Sequence, residues 1–405
     1  MNNLMLTPYL PYPLLSGGQI RTYNLLKQLS RKHEVTLFAL VKDWSETEHS
    51  AELEKYCSSV RVFKRSNKPF TLSNIIQTAF SSYPFLVIRN HVPEVITAVQ
   101  TELQRKQYDL IHAETFYMMP HIPPTTIPTI LVEQTIEYVG YESYAQKAPK
   151  VLRGLLNIDI AKIRKWETHY WRACDTLIVM SEEDKAYIAR QINNNTKIEV
   201  VANGVDTKWF AEKKHTKPSR PTILCVGTFK WLPNVEAVWF LVKEIWPKIK
   251  QQVPTARLWI VGNAPAPDVL ALEHSDASIT VTGTIPDIRD AFTQSDLLIA
   301  PVLSGKGTRY KVLEALASGT PVVATETAVE GLALKNGTHV LAANAADDIA
   351  KLVVELLNSK SKREKLAEQG RAFVKKHYDW SLISQKLDAI YRHIGKGKKQ
   401  DEKTN

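Results

Sequence analysis

The sequence predicts an α/β protein made of two doubly wound layers of parallel strands and helices. Three observations lead there. Short apolar runs alternate with amphipathic stretches from one end to the other, and the same rhythm restarts after Val205. The length, 405 residues, exceeds what a single hydrophobic core usually serves.

Taken in order, Leu4-Met5-Leu6 reads as the first strand, followed by a proline-rich turn and the pair Gly17-Gly18. Gln19 to Leu29 then places Ile20, Tyr23, Leu26 and Leu29 at helical spacing. Further strands are expected at Val35–Leu40, Val60–Phe63, Leu110–Ile111, Thr129–Val132, Thr176–Val179 and Ile198–Val201. Ala211 to Pro221 is basic and polar, carries Pro218 and Pro221, and reads as the joint. The second set of strands is Thr222–Val226, Arg257–Val261, Ile279–Val281, Leu297–Ala300 and Pro321–Ala324. A helix, Ser381–Ile394, follows Trp380, and Gly395–Asn405 reads as a disordered tail. The expected domains are therefore 1–205 and 206–378, with the helix 379–394 packing back toward the first and 395–405 as the tail.

Composition narrows the function classes. Apolar residues at 44% and charged residues at 23% exclude a disordered chain. The balance of 52 Lys+Arg against 42 Asp+Glu, net +10, points to an anionic partner. Cys57, Cys174 and Cys225 form no CxxC pair, which speaks against a disulfide framework and a cysteine-built zinc site and for a reducing compartment. No run reaches the length of a membrane span, and Met1–Leu6 has no basic segment before its apolar run, so it does not read as a secretion signal. A cytoplasmic protein is expected. With no Asp-x-Asp, no His-Glu-x-x-His and no clustered histidines among the eleven, no bound metal is expected.

Two open parallel sheets bind ligands at the loops beyond their strand C-termini, and a cleft between two such sheets is the expected site. The richest of these loops runs from Ala300 through Gly305-Lys306-Gly307-Thr308-Arg309-Tyr310-Lys311 to Glu314 and Ala315. Glycines let backbone N–H groups approach a ligand, a helix starting near Thr308 adds partial positive charge, and Arg309 and Lys311 add full charges. Phosphate suits such a loop. It is not a Walker A sequence, and Tyr310 occupies the third glycine position of a dinucleotide fingerprint. By itself a Gly-x-Gly turn is also an ordinary loop.

The segments Val201-Ala202-Asn203-Gly204-Val205-Asp206, Leu224-Cys225-Val226-Gly227-Thr228, Trp259-Ile260-Val261-Gly262, Thr282-Gly283-Thr284 and Gly305 to Pro321 occur in that order. The succession resembles the C-terminal half of the retaining nucleotide-sugar glycosyltransferases of glycosyltransferase family 4, which have the GT-B fold of two facing Rossmann-like domains. Gly17-Gly18, Asp109-Leu110-Ile111-His112 and Ile178-Val179-Met180-Ser181 extend the resemblance, more loosely, to the first half.

The resemblance implies transfer of a sugar from a nucleotide diphosphate sugar to a glycan or lipid-linked acceptor, in cell-surface polysaccharide or glycoconjugate synthesis. It implies no metal and no cofactor beyond the donor as co-substrate. Glu314 matches the second acid of a Glu-x7-Glu pair and would bind the ribose hydroxyls, since a carboxylate accepts two hydrogen bonds from a diol. The first acid of that pair is replaced by Lys306. Gly305, Lys306, Gly307 and Thr308 would hold the sugar and diphosphate, with Gly227, Gly283 and Thr284 on neighbouring donor loops. Where many relatives place an Arg and a Lys, this chain has only Lys230, so Arg309 is the first candidate for the diphosphate, then Lys230, then Lys311.

In the first half the resemblance implies that Gly17 and Gly18 approach the diphosphate and acceptor, with Arg21 one turn later. His112 would touch the donor sugar, with Glu114 as a substitute contact. Glu133 and Gln134 would line the acceptor side. The catalytic set is thus His112, Arg309 and Glu314.

Basic residues concentrate at Arg61, Lys64, Arg65 and Lys68, and again from Lys147 to Arg172, where Lys162, Arg164 and Lys165 mix with Trp166, Tyr170 and Trp171. The second set reads equally as a helix lying on anionic lipid at the inner face of the membrane or as a solvated helix with an aromatic core face. A nucleotide-sugar epimerase on the same fold is the alternative enzyme. A non-catalytic nucleic-acid binder is the alternative from another class, but no nucleic-acid-reading motif is present and no such partner is expected.

Overall fold

The computed structural model describes residues 1–68, 70–192, 196–216, 218–229, 231–305 and 310–401, apart from the side chains of Lys147 and residues 396–401. The chain divides into two units: Met1–Ala202 together with the segment from Ile383 onward, and Asn203–Leu382.

Among the described residues the first unit has one sheet of β1 (Asn2–Thr7), β2 (Glu34–Val41), β3 (Ser59–Lys64), β4 (Leu110–Glu114), β5 (Thr129–Glu133), β6 (Thr176–Val179) and β7 (Lys197–Val200). The order is β3-β2-β1-β4-β5-β6-β7 and every pairing is parallel. Strand β2 is buried at every position from Val35 to Val41, the pattern of a strand covered on both faces. Leu4, Leu6, Ile111, Leu131 and Leu177 form the centre of the core.

The second unit repeats the plan with β8 (Thr222–Val226), β9 (Arg257–Val261), β10 (Ile279–Thr282), β11 (Leu297–Ala300), β12 (Val322–Ala324) and β13 (Leu341–Ala342), in the order β10-β9-β8-β11-β12-β13. Ile223, Leu258, Ile260, Leu297 and Ile299 lie at its centre. In each sheet the strand order reverses once, between β1 and β4 and between β8 and β11. Open α/β sheets hold ligands at that reversal, beyond the carboxyl ends of the strands.

Two expectations about connections are corrected. The segment read as the joint is fastened inside the second unit: Lys213 pairs with Asp287 at 3.0 Å and Asp290 at 2.6 Å, and His215 Nε2 meets the Ser318 carbonyl at 2.7 Å. Polar, proline-bearing sequence says nothing about such partners, which lie far along the chain. The last helix, Trp380–Asp401, does not stop at Ile394. Its Leu387, Ile390 and Tyr391 are buried and anchor it, and the lysines that follow favour the helix enough to carry it through Gly395 and Gly397. This helix is tied to the first unit by Asp388, which meets Lys32 Nζ at 2.8 Å and His33 Nε2 at 2.8 Å. At Gly395 a β-carbon would fall 2.5 Å from Met1 Cε, so the tail lies against the start of the chain.

Candidate functional site

In the second unit the strand-end glycines gather at the carboxyl edge of the sheet. Gly227 follows β8 and donates its N–H to the Val261 carbonyl; Gly262 follows β9, and a β-carbon there would lie 1.6 Å from the Gly227 carbonyl oxygen. Only glycine permits that approach. Gly283 and the exposed Thr284 follow β10. Gly305, with φ 98°, ends the described part of the loop after β11.

The helix Tyr310–Ser318 follows that loop. On it, Lys311 Nζ donates to Asn234 Oδ1 at 2.9 Å, and Asn234 Nδ2 in turn donates to the Thr228 carbonyl at 2.9 Å. Ser304 Oγ donates to Glu236 Oε2 at 2.9 Å, tying the loop to the helix Leu232–Phe240. Glu314 is different. Its carboxyl has no hydrogen-bond or ion-pair partner among the described residues, and burial, opposed only by Lys311, pushes it up to about 7. A half-buried acid without a partner among the described residues is what a ligand's hydroxyl pair would satisfy. Lys230, Lys306, Gly307, Thr308 and Arg309 lie outside the described residues.

In the first unit the helix Gly17–Leu29 opens with both glycines, capped by Ser16. At Gly18 a β-carbon would come within 2.7 Å of Tyr9 Oη and 2.8 Å of Gln134 Oε1, so the glycine admits both side chains. Gln134 Nε2 donates to Tyr9 Oη and to Glu114 Oε2, each at 2.7 Å. Glu114 Oε1 is 3.1 Å from His112 Nε2, and His112 Nδ1 is 2.6 Å from Tyr391 Oη. With the imidazole proton on Nε2, the tyrosine O–H donates to Nδ1 and the ring N–H donates to Glu114, so every member of the chain is satisfied. Burial pushes the Glu114 carboxyl up, but His112, Arg21 and Gln134 more than offset it and hold the group below its ordinary value.

Four of the residues expected at the site are buried within the first unit. The His112 side chain is fully buried, with Glu114 on one ring nitrogen and Tyr391 on the other. Glu114 is equally buried and accepts from Gln134. Arg21 does not face outward: it is 1% exposed, donates to the Ala202 carbonyl at 3.0 Å and balances the Glu114 charge. Glu133 accepts from Trp171 Nε1 at 3.1 Å and is buried; burial first, then the Glu167 and Glu137 charges, push its carboxyl well above the usual range. Of the acceptor-side residues, Gln134 alone is part-exposed at the edge beside Gly18.

The stretch Lys162–Arg172 is likewise fastened down. Lys162 Nζ donates to the Thr78 and Ser81 carbonyls, Trp166 donates to the Ser82 carbonyl and stacks on Tyr83 at 4.3 Å, and Trp171 is buried. Exposed apolar side chains lie elsewhere: Leu72, Ile75, Ile76 and Phe80 on the helix Leu72–Phe80, and Val151, Leu155 and Ile158 on the first half of the helix Lys150–Ala173. Phe80 and Val151 are each 90% exposed.

Asn234, Glu236, Ser304 and Gly262 join the second-unit site, and Tyr9 and Tyr391 the first. Gly262 was visible as a strand-end glycine; Tyr391 gave no local signal. A cavity of about 640 Å³ in the second unit, lined by Thr207, His215, Gly319 and Arg371 among others, includes none of the candidate residues. Among the described residues no three His, Cys, Asp or Glu side chains come together to hold a metal, and no helix is long and apolar enough to cross a membrane.

Residues 15–209 match the family Glycosyltransferase Family 4, and residues 220–359 match Glycosyl transferases group 1. A phosphatidyl-myo-inositol mannosyltransferase of Mycobacterium tuberculosis is 26% identical over 212 residues, 49% of this chain and 55% of that protein. The chain thus spans about half the length of that relative. Sucrose-phosphate synthase from Thermosynechococcus elongatus superposes with a TM-score of 0.71 at 18% identity, over 97% of this chain and 99% of that one. The Anabaena protein HepE in complex with UDP-glucose superposes with a TM-score of 0.65 at 15% identity, over 96% and 99%. The two reversed parallel sheets, their strand-end glycines and these matches agree: the chain belongs to glycosyltransferase family 4 and has the GT-B fold.

Proposed function

We propose that the protein transfers a sugar from a nucleotide diphosphate sugar to a glycan or lipid-linked acceptor, with retention of configuration and without a metal ion. The observation that carries this is the Glu314 carboxyl, unpartnered among the described residues and raised to about 7 by burial, on the helix that follows the Gly305 loop. Glu314 binds the ribose hydroxyls. The loop from Gly305 into Arg309 and the N-terminus of that helix receive the diphosphate, where charge develops as the glycosidic bond breaks. In the first unit Gly18 and Gln134 offer the acceptor side, held by the buried chain through Glu114, His112 and Tyr391.

Two relatives support the substrate classes. One is named for mannosyl transfer to phosphatidyl-myo-inositol, and one was solved with UDP-glucose. The exposed apolar side chains Leu72, Ile75, Ile76 and Phe80, with Lys64 and Lys68 nearby in sequence, suit contact with an anionic membrane that carries the acceptor.

The test is turnover over a panel of nucleotide sugars and acceptors with excess EDTA present. Nucleoside diphosphate release that depends on acceptor, survives the chelator and gives a product of unchanged anomeric configuration is the expected result. Isomerised donor without acceptor would make the chain an epimerase. Activity lost to EDTA and restored by magnesium or manganese would end the metal-free reading, and an inverted product would end the retaining one.

A further inference from the structure

The buried chain of the first unit ends in one atom whose direction the rest of the chain decides. Tyr391 Oη lies 2.6 Å from His112 Nδ1, and His112 Nε2 lies 3.1 Å from Glu114 Oε1. Gln134 Nε2 donates to Glu114 Oε2 and to Tyr9 Oη, each at 2.7 Å. Both ends are fastened. Tyr9 Oη also meets Thr22 Oγ1 at 3.1 Å, so it gives its proton there and accepts from the amide. Tyr391 stands one turn beyond Asp388, which pairs with Lys32, His33 and Arg392, and its ring meets His33 and His112 edge-on at 5.4 and 5.9 Å.

These contacts leave one consistent placement of protons. Against the pull of burial, His112, Arg21 and Gln134 hold the Glu114 carboxyl below its ordinary value, so it accepts at both oxygens and has no proton to give. Oε1 takes the His112 Nε2 proton and Oε2 an amide proton. His112 Nδ1 is then an acceptor, and the Tyr391 hydroxyl is what fills it. Turning the Gln134 amide over would set its carbonyl oxygen against the carboxylate. Both amide protons therefore point inward and Oε1 points out. That oxygen stands 2.8 Å from where a β-carbon on Gly18 would fall, and none of the described residues donates to it. Gln134 is part-exposed there. A fixed, open amide oxygen backed by a carboxylate takes a hydrogen-bond donor and turns away an anion.

We propose that Gln134 Oε1 receives a hydroxyl of an uncharged sugar ring on the glycosyl acceptor, and that Tyr391 is the positioning residue that aims it, acting through His112 and Glu114. This rests on the transferase reading. It adds that the acceptor group seated on Gly18 is a neutral sugar, not a phosphate or carboxylate, and that a residue of the last helix sets its seat.

The experiment uses the full chain saturated with UDP or GDP, and follows by NMR the binding of methyl α-glucopyranoside and methyl α-mannopyranoside. Glucuronate and 2-methoxytetrahydropyran, the same ring without its hydroxyls, are the controls. A neutral glycoside should bind and both controls should bind more weakly. Gln134→Met removes the open oxygen and should weaken the glycoside roughly tenfold, with nucleotide affinity unchanged. Gln134→Asn, which draws the oxygen back by one methylene, decides the matter if the methionine variant does not fold. Tyr391→Phe keeps the ring and its packing and should cost roughly three- to tenfold, again without touching the nucleotide. In the double variant Tyr391→Phe should add nothing to Gln134→Met, because it acts only through that amide; a merely structural hydroxyl would add its own loss. The proposal is overturned if neither glycoside binds, if either control binds as well as the glycosides, or if the two losses add. Absence of nucleotide binding in the wild type would instead strike at the transferase reading, so the two failures look different.

Discussion

Glu314→Gln separates what this acid does to the fold from what it does for a ligand. Burial raises it from 4.5 to about 7, with Lys311 pulling it back. Between those values the folded chain keeps a proton that the unfolded chain has released, so stability falls as pH rises through that window and stays lowered above it. The difference amounts to on the order of 3 kcal/mol at pH 8. Glutamine has no proton to lose, so Glu314→Gln should raise Tm at pH 8 and change it little at pH 4. Binding runs the other way. Both phosphates of a nucleotide sugar are esterified and do not titrate near neutrality, so an affinity that needs ionised Glu314 should weaken about tenfold from pH 8 to pH 6. The variant should bind ten- to a hundredfold more weakly at pH 8, with no pH slope in that range. Calorimetry with the best-bound nucleotide sugar at pH 6, 7 and 8, beside thermal unfolding at pH 4 and 8, reads both effects. If the variant keeps the wild-type affinity and slope, the carboxylate is not on the ribose; if it is less stable than wild type at pH 8, the burial argument is wrong.

Two further outcomes follow from packing. Gly262→Ala would put a β-carbon 1.6 Å from the Gly227 carbonyl, and urea unfolding should show a loss on the order of 3–5 kcal/mol; a loss under about 1 kcal/mol would mean the two loops part easily. Ile75→Glu with Phe80→Glu should abolish co-sedimentation with anionic vesicles while Lys165→Gln retains it, and the opposite pattern would return the membrane contact to the Lys162–Arg172 stretch.

The two sheets were legible because parallel strands buried on both faces spell themselves as short apolar runs, and β2 and β11 do so almost without interruption. Glycines at strand ends were legible for the same local reason: Gly227, Gly262 and Gly305 each stand where an apolar run stops. Side-chain direction was not. His112 ends a strand as a contact residue would, but its second partner, Tyr391, is 279 positions away, and Arg21 is turned inward by a carbonyl 181 positions away. Nothing in a window of local sequence records such partners. The basic and aromatic residues of Lys162–Arg172 read as a possible surface because carbonyls at Thr78 and Ser81 are invisible in composition. Conversely, Leu72, Ile75, Ile76 and Phe80 have the spacing of a buried helix face and stand in solvent instead.

The return of the last helix to the first unit has a bearing on how the chain is made. A ribosome delivers β1 through β7 early, but Tyr391, which completes the bond to His112, and Asp388, which meets Lys32 and His33, emerge only after the entire second unit. Until then His112 Nδ1 lacks its hydroxyl, and the apolar surface that Leu387 and Tyr391 cover stays open. The first unit is therefore first to be synthesised and last to be finished, and the second folds while its predecessor is still incomplete. Because Gly395 lies against Met1, the order could be reversed by grafting residues 383–395 ahead of Met1 through a short linker, giving a first unit continuous in sequence and able to close before its neighbour exists.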